Sequence, residues 1–299
     1  MIPLFDLHCD TLGKMSAEGY DFNSSPLHIS LDKCNNFNPY IQVMALWSDC
    51  RKTSNEAYSS YKKALSYAKE QEIIFSNNKN ELIKKPFILA IEDGRIVEDD
   101  LSRVDEFKKD GVKLITLCWS GVNSICGGWN TNEGLSEFGV AFVRKCFDCG
   151  IIPDISHCSV KTTKEAIELA FKYNKTIIAS HSNSYAVCSH DRNLRDEEFV
   201  SISKLGGIIG ISLAPQHLAK SGDASIKSIL NHIDHYLSIG GENTVSLGCD
   251  FDGVDKLPIG INNISDLSKL YKELTNYFGE TIADKIFYSN AFNFFSKWM

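Results

Sequence analysis

His8 and Asp10 stand two residues apart in the segment Asp6-Leu7-His8-Cys9-Asp10. On an extended strand, side chains at i and i+2 point to the same side, so this pair makes a two-donor pincer for a metal ion. Asp6 has the same parity but lies deeper, where it is expected to orient a ligand. Taken alone, the pair also describes a strand end with incidental polar groups. Glu92 follows the apolar run Phe87-Ile88-Leu89-Ala90-Ile91. A carboxylate emerging from a buried strand needs a partner or a metal, and its two oxygens allow it to bridge two cations; otherwise it is a loop carboxylate turned to solvent. His157 and His181 each stand one position beyond an apolar run, Ile151-Ile152-Pro153-Asp154-Ile155-Ser156 and Thr176-Ile177-Ile178-Ala179-Ser180. Either alone reads as a hydrogen-bonded core histidine, whereas the pair on neighbouring strand ends points to a second metal position. Asp250 closes Val245-Ser246-Leu247-Gly248-Cys249-Asp250. Beside two cations it is placed to carry a proton, and its plainer role is to cap the following loop. Asp252 is expected to cap or turn the loop it shares with Gly253.

Arg192 and Asn193 follow His181 by a short loop and offer a planar fork and an amide to a substrate carboxylate; the other reading is a salt-bridging loop. His190 shares that loop and is a candidate substrate contact. His28, His217, His232 and His235 lack the strand-end setting and are expected to be structural.

These groups need a scaffold that gathers strand ends at one mouth. Short apolar runs rich in β-branched residues predict eight strands, at 3–8, 40–47, 87–92, 112–118, 151–156, 176–180, 207–213 and 245–250. Helical periodicity predicts helices at 53–72, 101–109, 136–149, 160–172, 196–205 and 225–239, with further helices over 265–298. Eight strands alternating with helices favour an α/β architecture closed as a (β/α)8 TIM barrel, in which functional groups cluster at the C-terminal strand ends. His8, Asp10, Glu92, His157, His181 and Asp250 all meet that demand.

The 299 residues suit one large barrel without an internal boundary. A net charge of -7, from 31 basic and 38 acidic residues with no dense basic run, argues against nucleic acid as a partner. No apolar run is long enough to span a membrane, and the first residues read as neither a secretory signal nor a transit peptide, so a cytoplasmic location is expected. Ten cysteines scattered through apolar segments are expected to be reduced core residues, with Cys146 and Cys149 a weak candidate for a redox or zinc pair. No nucleophile elbow, Walker loop or dinucleotide fingerprint is present.

Taken in order, DLHCDT at the start, AIEDG around Glu92, GLSEFG at 134–139, DISHCS around His157, SHSNSYAVC from Ser180, RNLRDE from Arg192 and GCDFDGV from Gly248 resemble the membrane (renal) dipeptidase family of metallopeptidases. The resemblance covers essentially the whole chain. It implies a barrel of the metal-dependent hydrolase type over 1–299 and two zinc ions per chain, His8 and Asp10 on one, His157 and His181 on the other, with Glu92 bridging. It further implies that Asp250 transfers the proton, that Arg192 binds the substrate carboxylate, and that a metal-activated bridging hydroxide cleaves the amide bond of dipeptides. A homodimer is raised by the same likeness. The alternatives are a related amide hydrolase acting on N-acyl amino acids or lactams, and a peptide-binding barrel without turnover. One departure stands out: mammalian members carry a histidine that contacts the reacting carbonyl in the loop after strand four, where LITLCWSGVN places Trp119.

Overall fold

Aliphatic, β-branched runs bounded by turns form the strands where the sequence pattern places them. In the computed structural model, which describes residues 1–97 and 99–299, seven parallel strands form one sheet: β1 (Ile2–Cys9), β2 (Phe37–Trp47), β3 (Phe87–Glu92), β4 (Val112–Thr116), β5 (Ile152–Asp154), β6 (Ile209–Ile211) and β7 (Val245–Leu247). Their order is β5-β4-β3-β2-β1-β7-β6. The two edges are joined by residues 176–180, where the eighth strand was expected. Ile178 bridges Asp154 and Ala179 bridges Ile209, both in parallel. The Ile155 N–H donates to the Ile178 carbonyl at 2.9 Å, and the Gly210 N–H to the Ala179 carbonyl at 2.9 Å. With this segment in place the sheet closes on itself as a (β/α)8 barrel.

The second half of the ring is built from three-residue strands, shorter than the runs predicted from composition. Pro153 lacks an N–H for the ladder. Gly210 and Gly248 are there because a Cβ at either would stand 1.9 or 1.8 Å from the Ser180 carbonyl oxygen. The backbones approach too closely for a side chain.

Helices α1 (Thr11–Glu18), α2 (Ser54–Glu70), α3 (Ser102–Asp110), α4 (Glu137–Cys149), α5 (Val160–Tyr173), α6 (Asp196–Lys204), α7 (Pro215–Leu218) and α8 (Ile226–Ser238) fill the crossovers. Their starts follow side-chain capping: Thr53 and Glu56 form a capping box before α2, and Ser136 and Ser159 accept the N–H of Gly139 and Thr162. The C-terminal stretch forms α9 (Leu267–Phe278), α10 (Glu280–Asp284), a π turn over Lys285–Ser289 and α11 (Asn290–Trp298).

Two apolar clusters form. Phe5, Leu7, Ile41, Val43, Ala45, Ile88, Ala90, Leu114, Ile152 and Ile178 belong to the smaller one. Residues from so many positions around the ring can meet only in its interior. Phe294 and Phe295 of α11 join them, with the Phe295 ring stacked on Phe5 at 5.1 Å, and so plug the end of the barrel opposite the strand C-termini. The larger cluster lies between strands and helices and includes Cys9, Met44, Leu89 and Ile115. No helix among the described residues is long and apolar enough to cross a membrane.

Candidate metal centre

The strand C-termini deliver every predicted metal-binding side chain to one mouth. His8 comes from β1 and Asp10 follows it, Glu92 is the last residue of β3, His157 lies just beyond β5, His181 beyond 176–180, and Asp250 beyond β7. All are buried. His8 Nε2 lies 3.5 Å from both Asp10 Oδ2 and Glu92 Oε2, and 3.9 Å from Asp250 Oδ1. On the other side of the same carboxylate, His157 Nε2 is 2.9 Å and His181 Nε2 3.6 Å from Glu92 Oε1, and the two imidazole nitrogens are 2.8 Å apart. The donors therefore fall into two groups of metal-ligating spacing, His8-Asp10-Glu92 and Glu92-His157-His181, which share Glu92. His8, His181 and Asp250 form a third group across the gap.

The electrostatics of this cluster call for cations. Burial, and Asp10 after it, raise the Glu92 carboxyl to about 7. Burial raises Asp250 to about 8 against the pull of His8, with Asp10 and Glu92 adding to the rise. Burial pulls His8 down, yet Glu92 and Asp10 prevail and hold it well above the usual imidazole range. His157 and His181 are driven the other way, by burial first and then by positive neighbours including His8 and Arg192. The neutral imidazoles of His157 and His181 already offer lone pairs, whereas Glu92, Asp250 and His8 retain protons that a divalent ion would displace, since it stabilises ionised carboxylates and neutral imidazoles. His8 Nε2, Asp10 Oδ1 and His157 Nδ1 are buried without a hydrogen-bond partner, and a cation among the donors would supply the partner that His8 Nε2 lacks. The donor set of imidazoles and carboxylates fits two adjacent cations.

The residues around the ligands fix their direction. Asp154 accepts hydrogen bonds from Thr116 Oγ1, from the N–H groups of Ser156 and Ser180, and from Ser180 Oγ. Ser180 Oγ in turn meets His181 Nδ1 at 2.8 Å, which leaves Nε2 aimed at Glu92. Nothing in the sequence pattern marked Asp154 for this part. Asp6 acts on the ligand backbone rather than on a ligand's ring: its carboxylate accepts from the His8 N–H at 3.5 Å, from the Cys249 N–H at 2.8 Å and from Gln42 Nε2 at 3.1 Å. The cause is an irregular register in β1 between Asp6 and Cys9, which breaks the two-residue alternation that equal parity assumed. Asp252 behaves as a brace, accepting from Thr11 Oγ1 at 2.6 Å and the His28 N–H at 2.8 Å. Gly253 abuts the centre: a Cβ there would lie 2.2 Å from Asp250 Oδ1 and 2.3 Å from Asp10 Oδ2. His157 and Asp250 hold left-handed backbone, with φ of 69° and 62°, an uncommon conformation for such residues that turns both side chains into the mouth.

Above the ligands opens a cavity of about 1100 Å³, lined by Asp10, Glu92, His157, Asp250, Arg192, Trp47, Trp119, Trp129 and His217 among others. Arg192 is 5% exposed; its Nη2 donates weakly to the His181 carbonyl at 3.5 Å, and its Nε has no partner. A buried guanidinium with free donors facing a cavity is an anion receptor. Trp119 packs against His157 with ring centroids 5.9 Å apart and against Trp47 at 5.2 Å. Asn193 departs from its expected substrate contact: its amide nitrogen donates to the Cys188 and His217 carbonyls, each at 2.8 Å, and it is not among the cavity-lining residues. His217, expected to be structural, does line the cavity, its ring tilted against that of His190 with centroids 4.7 Å apart. His190 itself accepts the Arg192 N–H at 3.1 Å and so shapes the Arg192 loop. His28 and His232 are structural as expected, each accepting a backbone N–H.

The membrane dipeptidase model (peptidase family M19) matches residues 1–297. The chain belongs to the membrane dipeptidase family. A Schizosaccharomyces pombe protein described as an uncharacterized dipeptidase is 30% identical over 206 residues, 65% of this chain and 49% of its own length, so the match spans about half of that relative. A metallopeptidase from Rhodobacter sphaeroides, solved with a phosphinate mimic of the dipeptide L-Ala-D-Ala, superposes with a TM-score of 0.91 at 20% identity, covering 100% of this chain and 99% of that one. Dipeptidase AC, an M19 metallopeptidase, gives a TM-score of 0.91 at 22% identity, with 98% of each chain covered. These likenesses agree with the (β/α)8 barrel as the fold of this chain.

Proposed function

We propose that this chain is a zinc-dependent dipeptidase that hydrolyses the amide bond of short peptides with two cations per chain. The observation that carries the reading is the pair of buried donor groups sharing Glu92 at the floor of a cavity whose wall holds the guanidinium of Arg192 with its Nε unpartnered. His8, Asp10 and Glu92 would hold one ion, and Glu92, His157 and His181 the other; neutral imidazoles mixed with carboxylates suit zinc. When bound, the ions supply Lewis acidity and a hydroxide nucleophile near neutral pH.

The chain's own groups do the rest. Arg192 pairs with the free carboxylate of the substrate and so selects peptides short enough to bring that carboxylate to the cavity floor. Asp250, facing His8 at 3.9 Å, holds a proton on its carboxyl oxygen and passes it to the leaving amine. Trp47, Trp119 and Trp129 wall the cavity and displace water around the scissile bond. The phosphinate dipeptide mimic in the Rhodobacter sphaeroides relative supports a dipeptide as substrate. The ten free cysteines support a reducing, cytoplasmic setting.

The deciding measurement is metal content together with hydrolysis of a substrate panel, before and after chelation. About two metals per chain with chelator-sensitive cleavage of dipeptides bears the proposal out. Two metals with turnover confined to N-acyl amino acids or lactams would move the substrate, bound metal without any turnover would favour a peptide-binding barrel, and absence of metal uptake would refute the centre.

A further inference from the structure

Directly behind the metal centre, three thiols converge. Cys118 follows β4, Cys126 lies in the loop after it, and Cys158 is the residue next to His157. All three are buried, at 1%, 1% and 7% exposure, and none is joined in a disulfide. No helical or strand period brings together positions so unevenly spaced in sequence; the tertiary fold alone does. Their Sγ atoms all lie within 4.8 Å of one another, with Cys118 and Cys158 at 3.8 Å. Cys118 finds only long contacts elsewhere, 3.5 Å to the Gly127 carbonyl and 3.7 Å to that of His157. Such thiol hydrogen bonds are weak and leave the sulfur lone pairs available.

The spacing is that of a ligand triangle. Zinc–thiolate bonds of about 2.3 Å in a tetrahedral set separate the sulfurs by roughly 3.8 Å. An ion at the centre of a triangle with 3.8 Å edges would sit about 2.2 Å from each sulfur, and with 4.8 Å edges about 2.8 Å, so binding requires shifts of about half an ångström or less. We propose that Cys118, Cys126 and Cys158 form a thiolate site for a soft cation, zinc or monovalent copper, separate from the carboxylate–histidine centre. Donor softness sorts the two: sulfur alone selects soft ions, whereas oxygen and imidazole accept harder ones.

A bound ion would act as a clasp. The loop carrying Trp119 and Cys126 is already stitched to the His157 turn, through the Trp129 N–H to the His157 carbonyl at 2.7 Å, the Ser159 N–H to the Gly127 carbonyl at 3.0 Å, and the pairing of Gly128 with Cys158. Joining the three sulfurs would lock the left-handed turn that points His157 into the cavity.

The test uses the full chain, reduced and stripped of metal, titrated with cobalt(II) as a spectroscopic substitute for zinc and with cuprous ion. The expected result is a thiolate-to-cobalt charge-transfer band that is lost in both Cys126→Ser and Cys158→Ser and kept in Glu92→Gln, so this site and the one at the cavity floor fail independently. Metal-edge X-ray absorption of the wild-type protein loaded with one equivalent of cuprous ion reads the ligands directly, with a sulfur shell near about 2.3 Å expected. An oxygen and nitrogen shell, a cobalt spectrum without the sulfur band, a band surviving both serine substitutions, or a Cys118–Cys158 disulfide mapped in protein isolated without reductant would each overturn the proposal.

Discussion

His157 and Cys158 are consecutive residues, yet they serve clusters of opposite character. His157 faces carboxylates, imidazoles and an open cavity; Cys158 faces two other sulfurs inside the apolar core. The first cluster is charged, and burial without cations leaves its members in the wrong ionisation states, with Glu92 at about 7, Asp250 at about 8 and His8 held well above its usual range. The second is neutral when its thiols are protonated and packs acceptably without any ion. The difference teaches that the mouth of the barrel is organised around charge that must arrive, whereas the thiol triangle tolerates either state.

The sharpest way to break the contrast is to remove the shared carboxylate. Glu92→Gln should empty the cavity-floor centre and lower kcat/KM for a good dipeptide by at least about a thousandfold, roughly 4 kcal/mol, with metal content read by atomic absorption. Retained metal and activity would show that Glu92 is not common to both ions. Next in size, Asp250→Asn should keep the metals and reduce kcat by about a hundredfold to ten-thousandfold, since it withdraws a proton carrier while leaving the ligands in place. A steady-state comparison at equal metal occupancy decides it, and an unchanged kcat would reject the role. Arg192→Ala should raise KM for free dipeptides by about ten- to a hundredfold and barely alter turnover of the C-terminal amide. Equal losses on both substrates would mean that Arg192 holds the site together instead of reading a carboxylate.

The smallest effect concerns stability. In the metal-free protein Glu92 keeps its proton to about pH 7 and Asp250 to about pH 8, and His8 stays protonated beyond the usual imidazole range. In the unfolded chain the two carboxyls have shed their protons well below about pH 6.5, and the imidazole is half deprotonated there. The folded state therefore binds more protons between about pH 6.5 and 8, and stability should fall as pH rises through that window, by up to about 1.4 kcal/mol per retained proton per pH unit. His157 and His181, shifted down, act in the opposite sense, but only below about pH 6.5. Denaturant melts at both ends of the window should show the drop in chelator and lose it in zinc. A metal-free protein equally stable at both ends would contradict the crowding argument.

Most of the barrel was legible because each strand is a local apolar run and each helix a local period. The strands were read too long over 207–213 and 245–250, where Gly210 and Gly248 admit close backbone contact but offer no side chain to extend the ladder. The donor residues of the metal centre were legible for a related reason: in a parallel barrel every strand ends at the same mouth, so a polar residue closing an apolar run is placed by topology. Asp6 and Asn193 show the limit. One register irregularity in β1 turned Asp6 away from the centre, and carbonyls from Cys188 and His217 claimed the Asn193 amide.

From the sequence by itself followed the strand count, the alternation with helices and the donor types at the strand ends, which depend on neighbours a few residues apart, and the family with its bridging Glu92, which rests on the order of motifs along the chain. Only the tertiary structure decided that Asp154 orients His181 through Ser180, that His217 reaches the cavity, and that three distant cysteines meet behind His157. Those facts are distances across the ring. They depend on barrel closure, on one irregular strand and on the path of the long loops, and no local periodicity encodes them.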